Sequence, residues 1–249
     1  MRPTSPFRYS GNKGRILRYL ESPPFDVKRV WEPFLGSGAY TLSHRLQGVG
    51  IDRDERVIKV WKWLQTATAE DILDLNRWYE SQEGPVPVVE APFPEGAQLY
   101  LRINVCSAMV GQWSGTTTYP QHSLPVAKTL RALPLIKNME VRHGSFEEAS
   151  PEPGDMVFFD PPYFGTKGNY KGEDFFDPST ILPVLEGWNC PILFTYGDGA
   201  EEWFPELEWE ISAVINVPRL RGGGTVQRRE WVAYLNWPQR MDTFHLFAG

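Results

Sequence analysis

The sequence predicts an α/β fold built on a central sheet, and three stretches carry that prediction. Residues 156–159 are four consecutive apolar residues, typical of a strand buried on both faces. Residues 27–46 combine a strand, a glycine turn and a helix with an apolar face. Apolar and polar residues alternate along 210–217 and 229–236, which predicts two strands of an antiparallel hairpin near the end of the chain.

Asp160 is the candidate reactive residue because it directly follows the buried strand 156–159. Pro161 and Pro162 prevent that strand from continuing, and the carboxyl ends of strands are where open α/β sheets bind ligands. Prolines lack backbone N–H groups, so this turn offers only acceptors, and Tyr163 adds an aromatic face. Two acceptors beside an aromatic ring suit a planar group with an amino substituent, such as a nucleobase. The alternative is that Asp-Pro-Pro only ends the strand and begins a loop, as it does in many loops without a catalytic role.

Two glycine-bearing turns come earlier in the chain. Lys13 lies between two glycines, and the apolar residues after it predict that a helix begins there. A helix start with a lysine attracts a carboxylate or phosphate, although a solvated lysine gives the same pattern. Gly36 and Gly38 form the turn of the strand–turn–helix unit, where a ligand can approach the backbone. Thr41 replaces the third glycine of a nicotinamide fingerprint, which argues against that cofactor.

Asp52 ends a short predicted strand, 49–52, that follows the glycine turn. An acid at the end of the second strand of such a unit can accept hydrogen bonds from ribose hydroxyls. The alternative is a capping role at the helix that begins beyond Asp54. Both interpretations stay open on this local pattern.

Composition narrows the class of protein. A chain of 249 residues can form one large α/β domain with a small insertion. The two cysteines form no CxxC pair and the four histidines show no HxxxH spacing, so no metal is implied and a reducing compartment is expected. The sequence has no signal-peptide core and no apolar run of the ~20 residues that a membrane helix needs. We therefore expect a soluble, intracellular protein.

Nucleic-acid contacts are expected in two places, although the net charge of −6 argues mildly against a polyanionic partner. Arginines cluster around a glycine run in the closing hairpin, and residues 66–125 form a proline-rich and polar insertion. A solvated loop has the same polar composition. The candidate contacts are Arg219, Arg221, Arg228 and Arg229 in the hairpin and Gln112, Trp113, Ser114, Thr116, Thr117 and Tyr119 in the insertion.

Together and in this order, the motifs resemble the Dam-like DNA adenine methyltransferases, which include many phage members. The motifs are Pro-Phe-x-Tyr-x-Gly-Asn-Lys, Glu-Pro-Phe-Leu-Gly-Ser-Gly, Gly-Ile-Asp, Asp-Pro-Pro-Tyr and a closing Gly-Gly-Thr, across residues 6–236. The resemblance implies a Rossmann-like methyltransferase fold, with a mixed seven-stranded sheet and a closing antiparallel hairpin. Residues 1–65 and 126–249 would form the catalytic domain, and residues 66–125 the target-recognition region.

The resemblance also implies S-adenosylmethionine as the methyl donor and double-stranded DNA, with its target base flipped out, as the partner. It implies that no metal and no membrane is involved. It also implies a monomer or weak dimer, located in the cytoplasm of a bacterial or phage-infected cell. The catalytic residues would be Asp160, Pro161, Pro162 and Tyr163. The cofactor-binding residues would be Tyr9, Lys13, Glu32, Phe34, Gly36, Gly38, Asp52, Phe146 and Asp160.

The chain departs from the family pattern at two places. Ser145 stands where family members usually have an Asp that contacts the cofactor adenine. The insertion lacks the usual Asn-Arg and Gly-x-x-Arg pattern, so GATC specificity does not follow. Two other functions therefore stay open: methylation of another amino or amide group, in an RNA base or a protein glutamine, and a non-catalytic nucleic-acid-binding module. The joint presence of Lys13, Asp52 and Asp160 argues against the non-catalytic binding module.

Overall fold

The computed structural model describes residues 5–9, 11–83, 86–105, 117–118, 123–163, 178–218 and 225–238. The strands are β1 Arg29–Glu32, β2 Gln47–Asp52, β3 Val86–Pro87, β4 Thr117–Thr118, β5 Glu140–His143, β6 Asp155–Phe159, β7 Ile192–Tyr196, β8 Glu210–Pro218 and β9 Thr225–Leu235. The α-helices are α1 Ala39–His44, α2 Glu55–Thr66, α3 Ala69–Glu80, α4 Glu95–Val105, α5 Val126–Ile136, α6 Ile181–Glu186 and α7 Ala200–Trp203.

Seven of these strands form one mixed sheet in the order β5-β2-β1-β6-β7-β9-β8. The first five are parallel, while β9 runs antiparallel to both β7 and β8. The predicted Rossmann-like α/β class, seven-stranded mixed sheet and closing hairpin are therefore confirmed. The chain moves outward from β1 to β2 and β5 and then returns to β6 on the other side of β1. Ligand crevices in open α/β sheets lie at such a reversal, here between the carboxyl ends of β1 and β6.

Burial of both faces explains why the central strands are apolar. Every residue of β6 and β7 is buried. Val157 and Phe159 pack in the cluster that includes residues of α6 and α7, while Met156 and Phe158 face the opposite cluster with α1 and the N-terminal segment. Because neighbouring residues of a strand point to opposite faces, layers on both sides require an unbroken apolar run. Asp160 is the first residue beyond it, as predicted.

Helices α3 and α4 lie within the insertion 66–125 and pack into the same core as α2 and α5, which flank it. This core includes Leu64 of α2, Ile72 of α3, Tyr100 of α4 and Ile136 of α5. The predicted helix-like run 98–110 corresponds to α4, which begins earlier, at Glu95; the residues after Val105 lie outside the described ranges. The sequence pattern did not reveal α3, although Thr68 and Asp71 form a capping box at its start.

The segment after Lys13 differs from the prediction of a helix. It forms two short 3-10 helices, Lys13–Arg15 and Leu17–Tyr19, and not an α-helix. Pro23 and Pro24 follow within a few residues, which leaves too little chain for a stable α-helix. None of the helices in the described ranges has the length and apolar character required to cross a membrane.

Candidate active site

The predicted site residues gather at the edge formed by the carboxyl ends of the parallel strands. Glu32 ends β1, Asp52 ends β2, and Asp160 directly follows β6. Because β9 runs the opposite way, its earlier residues lie at this same edge: Trp231 pairs with Tyr196, the last residue of β7. Acids from several strand ends thus lie at one edge of the sheet.

Asp160 forms an ion pair with Lys13 at the reversal of strand order. The Lys13 Nζ lies 2.6 Å from Asp160 Oδ1, and the Thr195 hydroxyl donates to the same oxygen at 2.9 Å. No residue in the described part of the chain donates to Oδ2, and the Asp160 side chain keeps 17% of its surface exposed. One carboxylate oxygen is therefore fixed by two partners, while the other is left as an acceptor.

Tyr163 and Glu230 extend this pair into what we call the Lys13 cluster: Lys13, Asp160, Tyr163 and Glu230. Lys13 Nζ donates to the Tyr163 hydroxyl oxygen at 2.8 Å, and that hydroxyl donates to Glu230 Oε2 at 2.7 Å. The Lys13 Nζ is also 3.7 Å from Glu230 Oε2. The cluster joins the N-terminal loop, the turn after β6 and strand β9, which are far apart in sequence.

Burial controls the ionisation of the Lys13 cluster. Burial disfavours the charged Lys13, but the nearby Asp160, Tyr163 and Glu230 outweigh it and hold the lysine pKa well above its usual value. Burial raises the pKa of Asp160 and of Glu230, and the Lys13 ammonium opposes both shifts. Lys13 is thus the protonated centre that favours the ionised form of both acids.

Gly197 determines where the Tyr163 ring lies. A Cβ atom added at Gly197 would come within 2.5 Å of that ring, so any side chain there would displace it. The ring of Tyr196 packs on Tyr163 at 5.0 Å between centroids. Tyr163 therefore has one edge packed into the fold and its hydroxyl bonded to charged groups, while the residue stays half-buried.

The glycine turn is bonded directly to Asp52. Gly36 and Gly38 have φ values of 45° and 61°, which side-chain-bearing residues rarely adopt. The Gly36 N–H donates to Asp52 Oδ2 at 2.9 Å, and the Asp54 N–H donates to Oδ1 at 2.9 Å. Burial raises the pKa of Asp52 to about 6. Each carboxylate oxygen has a second lone pair, so Asp52 can still accept hydrogen bonds from hydroxyl groups.

Tyr9 and Glu32 support the same turn. A Cβ at Gly36 would lie 2.9 Å from the Tyr9 ring, so that ring covers the glycine turn. Glu32 is 2% exposed, and its Oε1 accepts the Thr41 N–H of α1 at 2.8 Å. Burial raises the pKa of Glu32 to about 7. Glu32 thus fixes the first turn of α1 from the end of β1.

Phe34 and Phe146 form an aromatic pair beyond β1 and β5. Their rings are stacked, with centroids 5.4 Å apart and planes at 25°. Phe146 is buried, whereas Phe34 is half-buried. The Ser145 N–H donates to Glu148 Oε1 at 2.8 Å, and the Ser145 hydroxyl is bonded to Glu147. Ser145 therefore caps the short helix Phe146–Glu148.

The remaining predicted residues divide into described and undescribed ones. Pro161 is buried and Pro162 half-buried in the turn after β6. Arg228 is exposed on β9, two positions before Glu230 and therefore on the same face of that strand. Thr117 forms part of β4. The predicted contacts Arg219, Arg221, Gln112, Trp113, Ser114, Thr116 and Tyr119 lie outside the described residues.

Two residues of the site had no place in the sequence prediction. Thr195 is a lone polar residue in the otherwise apolar strand Ile-Leu-Phe-Thr-Tyr, close to its carboxyl end. Glu230 is a buried acid in an otherwise alternating strand. A polar residue at a fully buried strand position was the available signal for Thr195. Glu230 carried none, because exposed acids are common in hairpins.

No family model matches the chain, and no curated protein is detectably similar to it in sequence. Among solved structures, it is similar to the C-terminal domain of precorrin-6Y C5,15-methyltransferase from Rhodobacter capsulatus, with 12% identity, a TM-score of 0.41 and coverage of 94% of this chain and 98% of that one. Precorrin-6y C5,15-methyltransferase from Geobacter metallireducens matches with 10% identity, a TM-score of 0.43 and coverage of 95% and 98%.

A third similar structure is Pyrococcus abyssi tRNA (uracil-54, C5)-methyltransferase in complex with S-adenosyl-L-homocysteine. It matches with 11% identity, a TM-score of 0.35 and coverage of 89% of this chain and 36% of that one. At these identities and TM-scores, the likenesses decide nothing about the activity of this chain. The class that fold and site define is a Rossmann-like α/β protein with several acids at the carboxyl edge of its sheet.

Proposed function

We propose that the protein is an S-adenosylmethionine-dependent methyltransferase that methylates the exocyclic N6 amino group of adenine in double-stranded DNA. One observation carries the proposal. At the reversal of strand order, Asp160 has Oδ1 fixed by Lys13 and Thr195 and Oδ2 left as an acceptor, with two prolines and Tyr163 beside it. That arrangement suits an aromatic amine, whose N–H groups need acceptors and whose ring needs a stacking surface.

The residues of the crevice fit S-adenosylmethionine, which supplies an electrophilic methyl group on a positively charged sulfur when bound. Asp52 retains lone pairs for the two ribose hydroxyls beyond its backbone bonds. Phe34 and Phe146 offer aromatic surface for the cofactor adenine. Glu32 and Tyr9 shape the turn of Gly36 and Gly38, which lines the methionine part. The acids of this edge suit a donor with a positive charge.

Asp160 aligns the target nitrogen for direct transfer. An aromatic amine is a poor nucleophile because its lone pair is delocalised into the ring. Asp160 Oδ2 and the Pro161 carbonyl accept its two N–H bonds and favour a pyramidal nitrogen. The bound donor would supply the methyl group, with the electrons of its C–S bond staying on sulfur, while the lone pair of the nitrogen held by Asp160 and Pro161 would form the new N–C bond. Asp160 accepts the proton that the nitrogen releases and passes it to water. No covalent enzyme intermediate is formed.

Tyr163 and Lys13 complete the site. A base within a duplex must be rotated out of the stack, and the Tyr163 ring replaces part of the lost stacking. Lys13 favours the ionised form of Asp160, and Thr195 fixes its orientation, so the acceptor is in place before the base arrives. The chain thus contributes mainly alignment and electrostatics to the reaction.

DNA contacts are assigned to two regions outside the crevice. Arg228 is exposed on β9 at the site edge, and Arg219 and Arg221 come between β8 and β9 in the sequence. These arginines hold phosphates, which position the duplex without reading its sequence. Target recognition is assigned to the insertion 66–125, with Gln112, Ser114 and Thr116 as contacts. The protein acts as a monomer or weak dimer.

The test is to incubate the purified protein with tritiated S-adenosylmethionine and, in separate tubes, DNA, RNA or cell protein. The Asp160→Ala variant provides the background in every tube. We expect Asp160-dependent label only with DNA, recovered as N6-methyladenine after digestion to nucleosides. Label in RNA or protein would reassign the substrate. Binding of the donor without label in any tube would contradict the catalytic proposal.

A further inference from the structure

The Lys13 cluster contains two carboxylates for one ammonium. Asp160 lies 2.6 Å and Glu230 3.7 Å from the same Lys13 Nζ. When all three groups are ionised, one negative charge is left unbalanced. Both carboxylates are buried from most of the solvent, with 17% and 9% of their side-chain surface exposed. Water therefore screens this charge less than it screens an acid on the surface.

Glu230 is the member of the cluster that belongs to none of the sequence motifs. It is 7% exposed on a strand where Val232, two positions later on the same face, is buried and apolar. A buried acid is costly unless hydrogen bonds and charges compensate, and an apolar residue would avoid that cost. Glu230 has both compensations, since it accepts the Tyr163 hydroxyl at 2.7 Å and faces Lys13.

We propose that Glu230 is a positioning residue whose unbalanced negative charge makes the site prefer the positively charged methyl donor over its neutral product. This inference rests on the proposed function. S-adenosylmethionine carries a positive charge on sulfur, and S-adenosylhomocysteine, left after methyl transfer, does not. A site with an excess negative charge holds the first more tightly and releases the second.

The same charge fits the course of the reaction. As the C–S bond breaks and the N–C bond forms, positive charge moves from sulfur to the target nitrogen, which then loses its proton to Asp160. A fixed negative charge stabilises each positively charged species along this course. Once the sulfur is neutral and the proton has left, the attraction ends. Glu230 acts through Lys13 and Tyr163 and need not touch the reacting atoms.

Replacement of Glu230 by Gln tests the charge alone, because the Gln side-chain oxygen still accepts the Tyr163 hydroxyl. The measurement is titration calorimetry of S-adenosylmethionine and of S-adenosylhomocysteine. We expect the ratio of product Kd to donor Kd to fall about fivefold or more in Glu230→Gln. Glu230→Asp, which keeps the charge, should retain most of the wild-type ratio.

Asp198→Asn is the matched control. Asp198 is an exposed acid at the same edge, and its Oδ1 accepts the Arg229 N–H at 3.3 Å. Because water screens an exposed charge, this variant should change the Kd ratio less than about twofold. An equal change of the Kd ratio in both variants would show that the combined charge of the acids at this edge sets the preference, and not Glu230 in particular.

An unchanged ratio in Glu230→Gln, with both ligands still bound, would overturn the inference while leaving the proposed function intact. If the wild-type protein binds neither ligand, the proposed function itself fails. Thermal unfolding shows whether the Gln variant folds. If it does not, Glu230→Ser removes the same charge with a smaller side chain, and the same fall in the ratio is expected.

Discussion

Asp52 and Asp160 lie at the same edge of the sheet, but different partners hold them. Asp52 accepts two backbone N–H groups, from Asp54 two residues later and from Gly36 in the turn of the same strand–turn–helix–strand unit. Asp160 is held by the Lys13 ammonium and the Thr195 hydroxyl, which come from distant segments. The edge thus has one half formed by local backbone geometry, which suits ligand binding. The other half, around Asp160, is formed by long-range charge pairing, which suits chemistry. We call the half around Asp52 the binding half and the half around Asp160 the reactive half.

The largest difference between the two halves is expected for Asp160→Ala. Loss of the acceptor that aligns the target nitrogen should reduce methyl transfer about 100- to 1,000-fold. Donor binding should stay measurable by calorimetry, because Asp52 and the glycine turn are untouched. Lys13 keeps Glu230 as a partner, so the fold should persist. Full activity in Asp160→Ala would remove the residue from the reaction.

Glu32 lies between the two halves, at the end of β1, and tests how burial acts there. Its pKa is raised by burial from 4.5 to about 7. Between these values the folded state binds a proton that the unfolded state has released, so wild-type stability falls as pH rises through this range. Relative to Glu32→Gln, the wild type should lose about 3 kcal/mol of unfolding free energy.

Urea unfolding of both proteins across this pH range provides the measurement. Gln keeps an oxygen for the Thr41 N–H, so the comparison isolates the ionisation of Glu32. Parallel pH profiles for the two proteins would contradict the raised pKa. A steeper fall in the variant would reverse the predicted sign.

The binding half is also the half that the sequence predicts best. The strand before Gly36, the turn itself and Asp52 occupy one continuous stretch, and local patterns of apolar residues and glycines determine them. Asp160 was predictable as well, because an apolar run that ends at two prolines marks the end of a buried strand. The closing hairpin followed from alternation in β8 and β9.

The reactive half was only partly predictable. Nothing in the sequence pairs Lys13 with Asp160 and Glu230, since the strand order of the sheet brings these segments together. The assignment of Lys13 to the cofactor stays a prediction, and in the structure its Nζ contacts two acids, a tyrosine and the Gly11 carbonyl. The helix predicted after Lys13 was wrong because tertiary packing of Ile16, Leu17 and Leu20 needs only short 3-10 turns before the prolines.

A smaller effect is expected from Asp52→Ala in the binding half. Loss of hydrogen bonds between a carboxylate and ribose hydroxyls should weaken donor binding about 10- to 100-fold, measured by calorimetry. The change also removes acceptors from the Gly36 and Asp54 backbone. Asp54→Ala is the control for loss of a neighbouring carboxylate: it removes the cap of α2 but keeps Asp52 and its two backbone bonds, so donor binding should stay close to the wild-type value. Unchanged affinity in Asp52→Ala would contradict the ribose assignment.

The smallest effect is expected outside both halves, at Arg228. This side chain is exposed on β9, so its loss should leave the fold unchanged. Removal of one phosphate contact should make the plot of log binding constant against log salt concentration less steep by about 0.9. Arg131→Ala is the control: Arg131 is also exposed but lies on α5, which packs with α2 and α3, so the slope should stay the same. An unaltered slope in Arg228→Ala would place the phosphate contacts on other residues and leave the assignment of the crevice untouched.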